Sequence, residues 1–208
     1  MDSVKLNNVS IDIHEGSIGI SVSGGADSAI LLYILMKYAP GPIHTFTCSS
    51  EEKHRVSPHI ALDVIGKCID LTGKTDVLHH TYFVEKQTHQ SWLDGLLVYT
   101  TNKTVNMMYT GATALPPDDV LATFKTTSGL YDKRNPNLIR PVYYNRFGNF
   151  YTPLFNINKQ QICEMYKELG VLEELYPLTR SCEDFTLTQG HCGRCWWCEE
   201  RQWGFGYR

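Results

Sequence analysis

The run Ser23-Gly24-Gly25-Ala26-Asp27-Ser28 lies directly behind the apolar stretch Ile18–Val22 and directly ahead of Ala29–Met36. Two adjacent glycines let a backbone take strained angles and approach a ligand with no side chain in the way. The amides that follow belong to a helix start, where they lack intrahelical partners and the dipole favours negative charge. Ser23 and Ser28 add hydroxyl donors, so the segment suits a phosphate or pyrophosphate. The common nucleotide loop G-x-x-x-x-G-K-[ST] does not occur in the chain.

A second constellation sits near the C-terminal end. Cys182, Cys192, Cys195 and Cys198 follow the spacing C-x9-C-x2-C-x2-C. Such short steps let backbone turn around an ion, and four thiolates complete a tetrahedral zinc shell. An iron–sulfur cluster also uses close cysteines, but the bacterial ferredoxin run continues to a fourth cysteine and proline. Here Glu199, Glu200 and Arg201 follow instead, which favours structural zinc. His191 could replace one sulfur or be an ordinary loop residue. Cys48, Cys68 and Cys163 stand alone and read as small buried hydrophobes.

The elements that position these groups follow from the apolar pattern. Strand-like runs alternate with helical ones, which predicts an α/β fold, a parallel sheet with helices on both faces. Strands are expected at Ile18–Val22, Ile43–Cys48, Val77–Val84, Val105–Thr110 and Ile139–Tyr143. Helices are expected at Ala29–Tyr38, from Ser57-Pro58 to Cys68, at Trp92–Asn102 and at Asn158–Leu169. Ligands in open α/β sheets sit beyond the carboxyl ends of strands. The glycine run, Cys48–Glu52 and Gly111–Asp119 should therefore border one crevice. Lys125–Asn137 reads as a long irregular stretch, of the kind that is often functional.

Composition sets outer bounds. The chain has 208 residues, 42% hydrophobic and 20% charged, enough for one domain with a small appendage. A net charge of −3 opposes strong non-specific nucleic-acid binding. No apolar run is long enough to span a bilayer, and the first residues do not resemble a signal peptide. The expectation is a cytoplasmic protein with no membrane partner.

The S-G-G-x-D-S run resembles the loop of the ATP pyrophosphatase (PP-loop) superfamily, whose fold is adenine nucleotide alpha hydrolase-like. Further along, Tyr151-Thr152-Pro153-Leu154, Asn158-Lys159-Gln160-Gln161-Ile162 and Leu169-Gly170-Val171 resemble a stretch of the 7-cyano-7-deazaguanine synthase family. Thr179-Arg180-Ser181-Cys182 and Cys192-Gly193-Arg194-Cys195 through Cys198, Arg201 and Gly204-Phe205 resemble that family's ending. Thr110-Gly111-Ala112-Thr113-Ala114 is similar to its central segment. The resemblance implies a homodimeric, zinc-containing, ATP-dependent ligase of queuosine biosynthesis. It would convert 7-carboxy-7-deazaguanine and ammonia to an amide and then a nitrile, releasing AMP and pyrophosphate. It also implies a nucleotide-binding part over 1–175 and a zinc segment over 176–208.

The expected nucleotide cradle comprises Ser21, Val22, Ser23, Gly24, Gly25, Ala26, Asp27, Ser28, Ala29 and Ile30. Asp27 would order the loop or hold magnesium, which offsets phosphate charge. Lys159 either reaches the departing phosphates or is solvated on the first turn of its helix. Gly111, Asp118 and Asp119 are the substrate candidates, the two carboxylates suiting paired N–H donors or simply forming an exposed loop. Departures from the family pattern fall at Leu115–Phe124, Cys48–His54 and Gln87–Trp92, where substrate would be read. Two other readings remain: a tRNA-thiolating PP-loop enzyme, and a non-catalytic nucleotide-binding module that acts through a partner.

Overall fold

In the computed structural model the glycine run joins the middle of a six-stranded sheet to a helix that is buried on nearly every side. Residues 2–50, 57–85, 89–126, 134–144, 149–182, 184 and 190–207 are described. The strands are β1 (Asp2–Leu6), β2 (Val9–Ile13), β3 (Ile18–Ser21), β4 (Ile43–Ser50), β5 (Val77–Val84), β6 (Met107–Tyr109), β7 (Tyr143–Tyr144) and β8 (Phe150–Tyr151). The helices are α1 (Ala26–Tyr38), α2 (Ser57–Thr72), α3 (His89–Thr101), α4 (Asp118–Leu121), α5 (Lys159–Glu168), α6 (Leu172–Leu175) and α7 (Trp196–Phe205).

The main sheet has the order β5-β4-β3-β6-β8-β7. Five strands are parallel and β7 alone runs antiparallel, against β8. The chain leaves β3 toward β4 and β5, then crosses back to β6 on the other side. That reversal creates a switch point between β3 and β6, where an open α/β sheet leaves a crevice. The expected α/β fold with helices on both faces is thus present.

Alternation sorts the side chains. Ile18, Ile20, Ile43 and Tyr109 face a large core with α1, α2 and α5, while Phe46, Met108 and Phe150 pack with Leu96 of α3. Gly19 is needed on the α3 face, because a Cβ there would meet the Met108 thioether at 2.8–2.9 Å. Helix α1 carries an unbroken apolar run, Ala29–Met36, and is buried throughout it. A helix apolar all round belongs at the centre of a fold. Among the described residues, no helix is long and apolar enough to cross a membrane.

Besides the short elements β8, α4 and α6, which the sequence expectation lacks, three departures are larger. The hairpin β1–β2 was not anticipated; it turns at Asn7 and Asn8, both at positive φ, and buries Leu6, Ile11 and Ile13. Tyr143 and Tyr151 bond to Asp12, and Tyr109 bonds to both Asp12 and His14, fixing the hairpin to the sheet. The strand expected at Ile139–Tyr143 is reduced to its last residue. Ile139 is 92% exposed, and Arg140 exchanges two hydrogen bonds with the Asn156 side chain instead of joining a ladder. The C-terminal segment forms a further helix, α7, where only a cysteine knuckle was foreseen.

Neutral histidines bridge β4 and β5. His44 Nδ1 and His80 Nε2 lie 2.9 Å apart, and His79 Nδ1 lies 2.9 Å from Thr45 Oγ1. Burial holds all three below the ordinary histidine value of 6.5, and His80 adds repulsion for the other two. Unfolding restores that value, so below about pH 6.5 the unfolded chain binds more protons. The stability these groups confer is complete above that pH and is lost as pH falls toward their depressed folded values. Thermal midpoints should therefore decline as pH falls below about 6.5, and His80→Gln should flatten the decline. An unchanged slope in the variant would remove the histidines as its source.

Candidate active site and metal centre

Extended backbone at the end of β3 becomes helix within four residues. The Val22 amide bonds the Phe46 carbonyl at 2.8 Å, and Thr47 Oγ1 donates to the Val22 carbonyl, pinning the loop's entry. Gly24 takes φ +80, and a Cβ there would lie 2.7 Å from Ile60 Cγ2. Gly25 is the N-cap of α1 and offers no side chain to cap it. The first intrahelical bond is Ala29 N–H to Gly25 O at 3.0 Å, so the Ala26, Asp27 and Ser28 amides precede the ladder. Ser28 Oγ donates to the Gly25 carbonyl and lies 3.3 Å from Ser23 Oγ. The hydroxyls thus brace the turn from inside.

Gly111 follows β6 and presses against that first turn. A Cβ there would meet Ser28 N at 2.9 Å and the Asp27 carbonyl carbon at 3.1 Å. The two loops that flank the switch point therefore approach each other closely by backbone.

Beside the turn runs a buried chain of alternating charges. Lys159 Nζ donates to both oxygens of Asp27, at 2.7 and 2.6 Å, and lies 3.7 Å from Glu200 Oε2. Glu200 Oε1 accepts from Arg134 Nη2 at 2.6 Å. Arg134 also donates to the Thr113 carbonyl at 2.8 Å, and Thr113 Oγ1 lies 3.5 Å from Asp27 Oδ2. The Lys159 and Glu200 side chains are 4% and 1% exposed, whereas Asp27 keeps 20%. Asp27 is therefore the member of the ion-paired chain that a ligand at the loop would meet first. Local structure aims the lysine: Asn158 caps α5 with a reciprocal Gln161 bond, which sets Lys159 at its first position. Gly204 on α7 leaves room for the lysine stem, which a Cβ would overlap.

The four C-terminal cysteines converge. Their sulfurs all lie within 4.8 Å of one another, with Cys192 and Cys198 at 3.9 Å. Thiolates about 2.3 Å from a tetrahedral ion stand about 3.8 Å apart, whereas a disulfide needs about 2.05 Å. The donor set fits a metal ion, and all four cysteines are free. The Asp184 and Cys192 amides donate to Cys182 Sγ, as suits a thiolate. Burial pushes the Cys192 thiol up, but the Arg194 and Cys195 amides and neighbouring thiols pull it below its ordinary value. Cys195 then caps α7, and Glu200 follows one turn later. Arg201 anchors that helix by bonding Thr179 Oγ1 and the Tyr176 carbonyl and stacking 3.8 Å from the Tyr176 ring.

The cradle residues anticipated from sequence surround the turn, but their side chains divide sharply. Val22, Ala26, Ala29 and Ile30 are core residues, leaving only backbone for a ligand. Ser21 Oγ accepts from Trp92 Nε1 at 3.1 Å. Lys159 is buried against Asp27, which excludes its being a solvated surface lysine. Asp118 and Asp119 are exposed on the first turn of α4, with Asp118 3.4 Å from Asn137 Nδ2; neither joins the charged chain among the described residues. His191 is not among the clustered sulfurs. Residues 51–54 and 87–88 of the departing segments lie outside the described residues. Arg134 and Glu200 were not foreseen. Glu200 had one usable signal, its position two residues beyond Cys198.

Residues 144–207 match the family model of the queuosine biosynthesis protein QueC, and residues 13–68 match that of asparagine synthase. No curated protein matches. Among solved structures, NMN synthetase from Francisella tularensis is 16% identical, with a TM-score of 0.47 over 92% of this chain and 77% of its own. The NH3-dependent NAD synthetase from Campylobacter jejuni is 14% identical, with a TM-score of 0.45 over 77% of this chain and 66% of its own. The resemblance to the 7-cyano-7-deazaguanine synthase family is borne out over the segment holding Lys159 and the cysteines. The family matches support an enzyme of the ATP-using ligase type.

Gly204→Ala should destabilise the protein by about 1–3 kcal/mol, the usual cost of overpacking, since the lysine cannot leave its ion pair cheaply. A variant as stable as its parent in urea would mean that Lys159 has another route past α7. Cys195→Ser should lose bound metal and stability together, because metal affinity in such sites is folding energy. A variant that kept both, by elemental analysis and thermal melting, would contradict the four-sulfur assignment.

Proposed function

We propose that this protein is an ATP-dependent carbon–nitrogen ligase acting on 7-carboxy-7-deazaguanine or a close analogue. The observation that carries the reading is the buried Lys159 ammonium held against Asp27 beside an uncapped helix start. A phosphate-accepting turn with a cation beside it suits a reaction that must bind and release pyrophosphate. The family matches over 13–68 and 144–207 support the same reading.

A carboxylate oxygen is a poor leaving group, so the acid must first be activated. Its oxygen attacks the α-phosphorus of ATP, the bond to the β-phosphate breaks, and pyrophosphate departs from the acyl adenylate. Ammonia then adds to the acyl carbon and AMP leaves, giving the amide. For the nitrile, the amide oxygen repeats the attack on a second ATP and departs with AMP. Each oxygen of the starting carboxylate thus leaves on one AMP.

In this reading the Ala26, Asp27 and Ser28 amides bind the pyrophosphate end, with Ser23 and Ser28 bracing the turn. Lys159 supplies positive charge where negative charge accumulates on the leaving group. Asp27 orders Lys159 and would hold magnesium, which when bound offsets phosphate charge. Gly111 keeps the second loop close, and Asp118 and Asp119 would accept from the substrate's N–H edge. Cys182, Cys192, Cys195 and Cys198 would hold zinc as a structural ion. We further propose that residues 1–175 carry the nucleotide site and 176–208 the metal segment, in a cytoplasmic homodimer.

Purified protein with ATP, magnesium, ammonia and 7-carboxy-7-deazaguanine should yield the nitrile, identified by mass. Amide alone would mean a ligase that stops after one activation. Absence of either product, with ATP bound, would reject this substrate class. Asp27→Asn should lower turnover at least about a hundredfold, the scale of losing one charge-stabilising group, while the protein stays folded. Unchanged turnover would remove the loop from the mechanism.

A further inference from the structure

Glu200 lies at the join between the two constellations. Its side chain is 1% exposed, and its two oxygens face different cations: Oε1 toward Arg134 at 2.6 Å, Oε2 toward Lys159 at 3.7 Å. Lys159 meanwhile spends its closest contacts on Asp27. An anion arriving at the glycine turn competes with the Asp27 carboxylate for that ammonium. The lysine side chain is only 4% exposed, so its ammonium cannot follow an incoming anion toward water and has to be held in place by counter-charge from behind. The remaining counter-charge in its reach among the described residues is Glu200. Arg134 holds Glu200 in place from the other side, since its Nε donates to the Thr113 carbonyl at 2.8 Å and its guanidinium lies 5.2 and 5.3 Å from the Trp196 and Trp197 rings.

Glu200 is also part of the metal segment. It stands two residues beyond Cys198, on the helix that Cys195 caps. Glu200 and the cysteine shell are thus joined within about one helical turn. We infer that Glu200 is a positioning residue that secures Lys159 when the glycine turn takes an anion, and that it couples the turn to the cysteine shell. The inference rests on the reading of the turn as a pyrophosphate site, and it goes beyond it. The metal segment acts on the nucleotide site through one carboxylate, and the influence is reciprocal.

Reciprocity supplies a test that needs no turnover. The zinc affinity of the protein is measured by equilibrium competition with a chelator, with and without saturating pyrophosphate, whose binding is measured separately by calorimetry. Pyrophosphate should tighten zinc binding at least about fivefold, the lower end of typical coupling between sites, and that gain is the protection. Glu200→Gln should still bind pyrophosphate but lose the protection. The double variant R134Q/E200Q leaves no buried charge of that pair unmatched, so it guards against a folding failure of the single variant. It too should bind pyrophosphate without protection. Protection that persists in either variant would overturn the inference, as would binding without protection in the parent protein. A Glu200 that served only to neutralise Arg134 would leave protection intact in the double variant. Failure of the parent protein to bind pyrophosphate at all would instead defeat the reading of the turn, and the inference with it.

Discussion

The site depends on a line of buried charges that must close on itself. Asp27, Lys159, Glu200 and Arg134 alternate in sign and sum to zero, and three of them are almost wholly withdrawn from water. Removing one partner of such a set strands its neighbour in a medium that cannot solvate it, at a cost of about 3–5 kcal/mol. The pairs therefore specify geometry more strictly than apolar packing could. They also join parts of the chain far apart in sequence: the first helix, the irregular stretch before β7, the start of α5 and the helix that follows the cysteines.

The sheet explains why those parts can meet. A switch point between β3 and β6 brings the glycine turn and the Gly111 loop to one edge, with α5 on the same face as α1. Helix α7 packs on α5 through Gly204, bringing the Glu200 carboxylate behind the lysine. The cysteines fix where α7 begins and the Arg201–Tyr176 stack fixes its course. Fold stability and site geometry are here the same set of contacts.

Much of this was legible in the sequence because it is local. The glycine run, its strand and its helix lie within one short segment, and the cysteine spacing announces a metal shell without reference to other residues. The ion pairs are not local. Lys159 and Asp27 are separated by 132 positions, and Arg134 and Glu200 by 66, so no periodicity joins them. The hairpin β1–β2 did carry a signal, with Val4, Leu6, Val9, Ile11 and Ile13 alternating around Asn7-Asn8. Ile139–Tyr143 erred the other way. Its apolar residues have strand propensity, but main-chain bonds to Asn156 hold that stretch out of the sheet.

The central claim is that the glycine turn and Lys159 serve cleavage of ATP between its α and β phosphates. The most direct measurement is phosphorus NMR of ATP consumed by the protein with magnesium, ammonia and 7-carboxy-7-deazaguanine. Equal amounts of AMP and pyrophosphate are predicted, with no ADP. Appearance of ADP and inorganic phosphate would contradict the account, because the turn would then hold a nucleotide for a different bond to break.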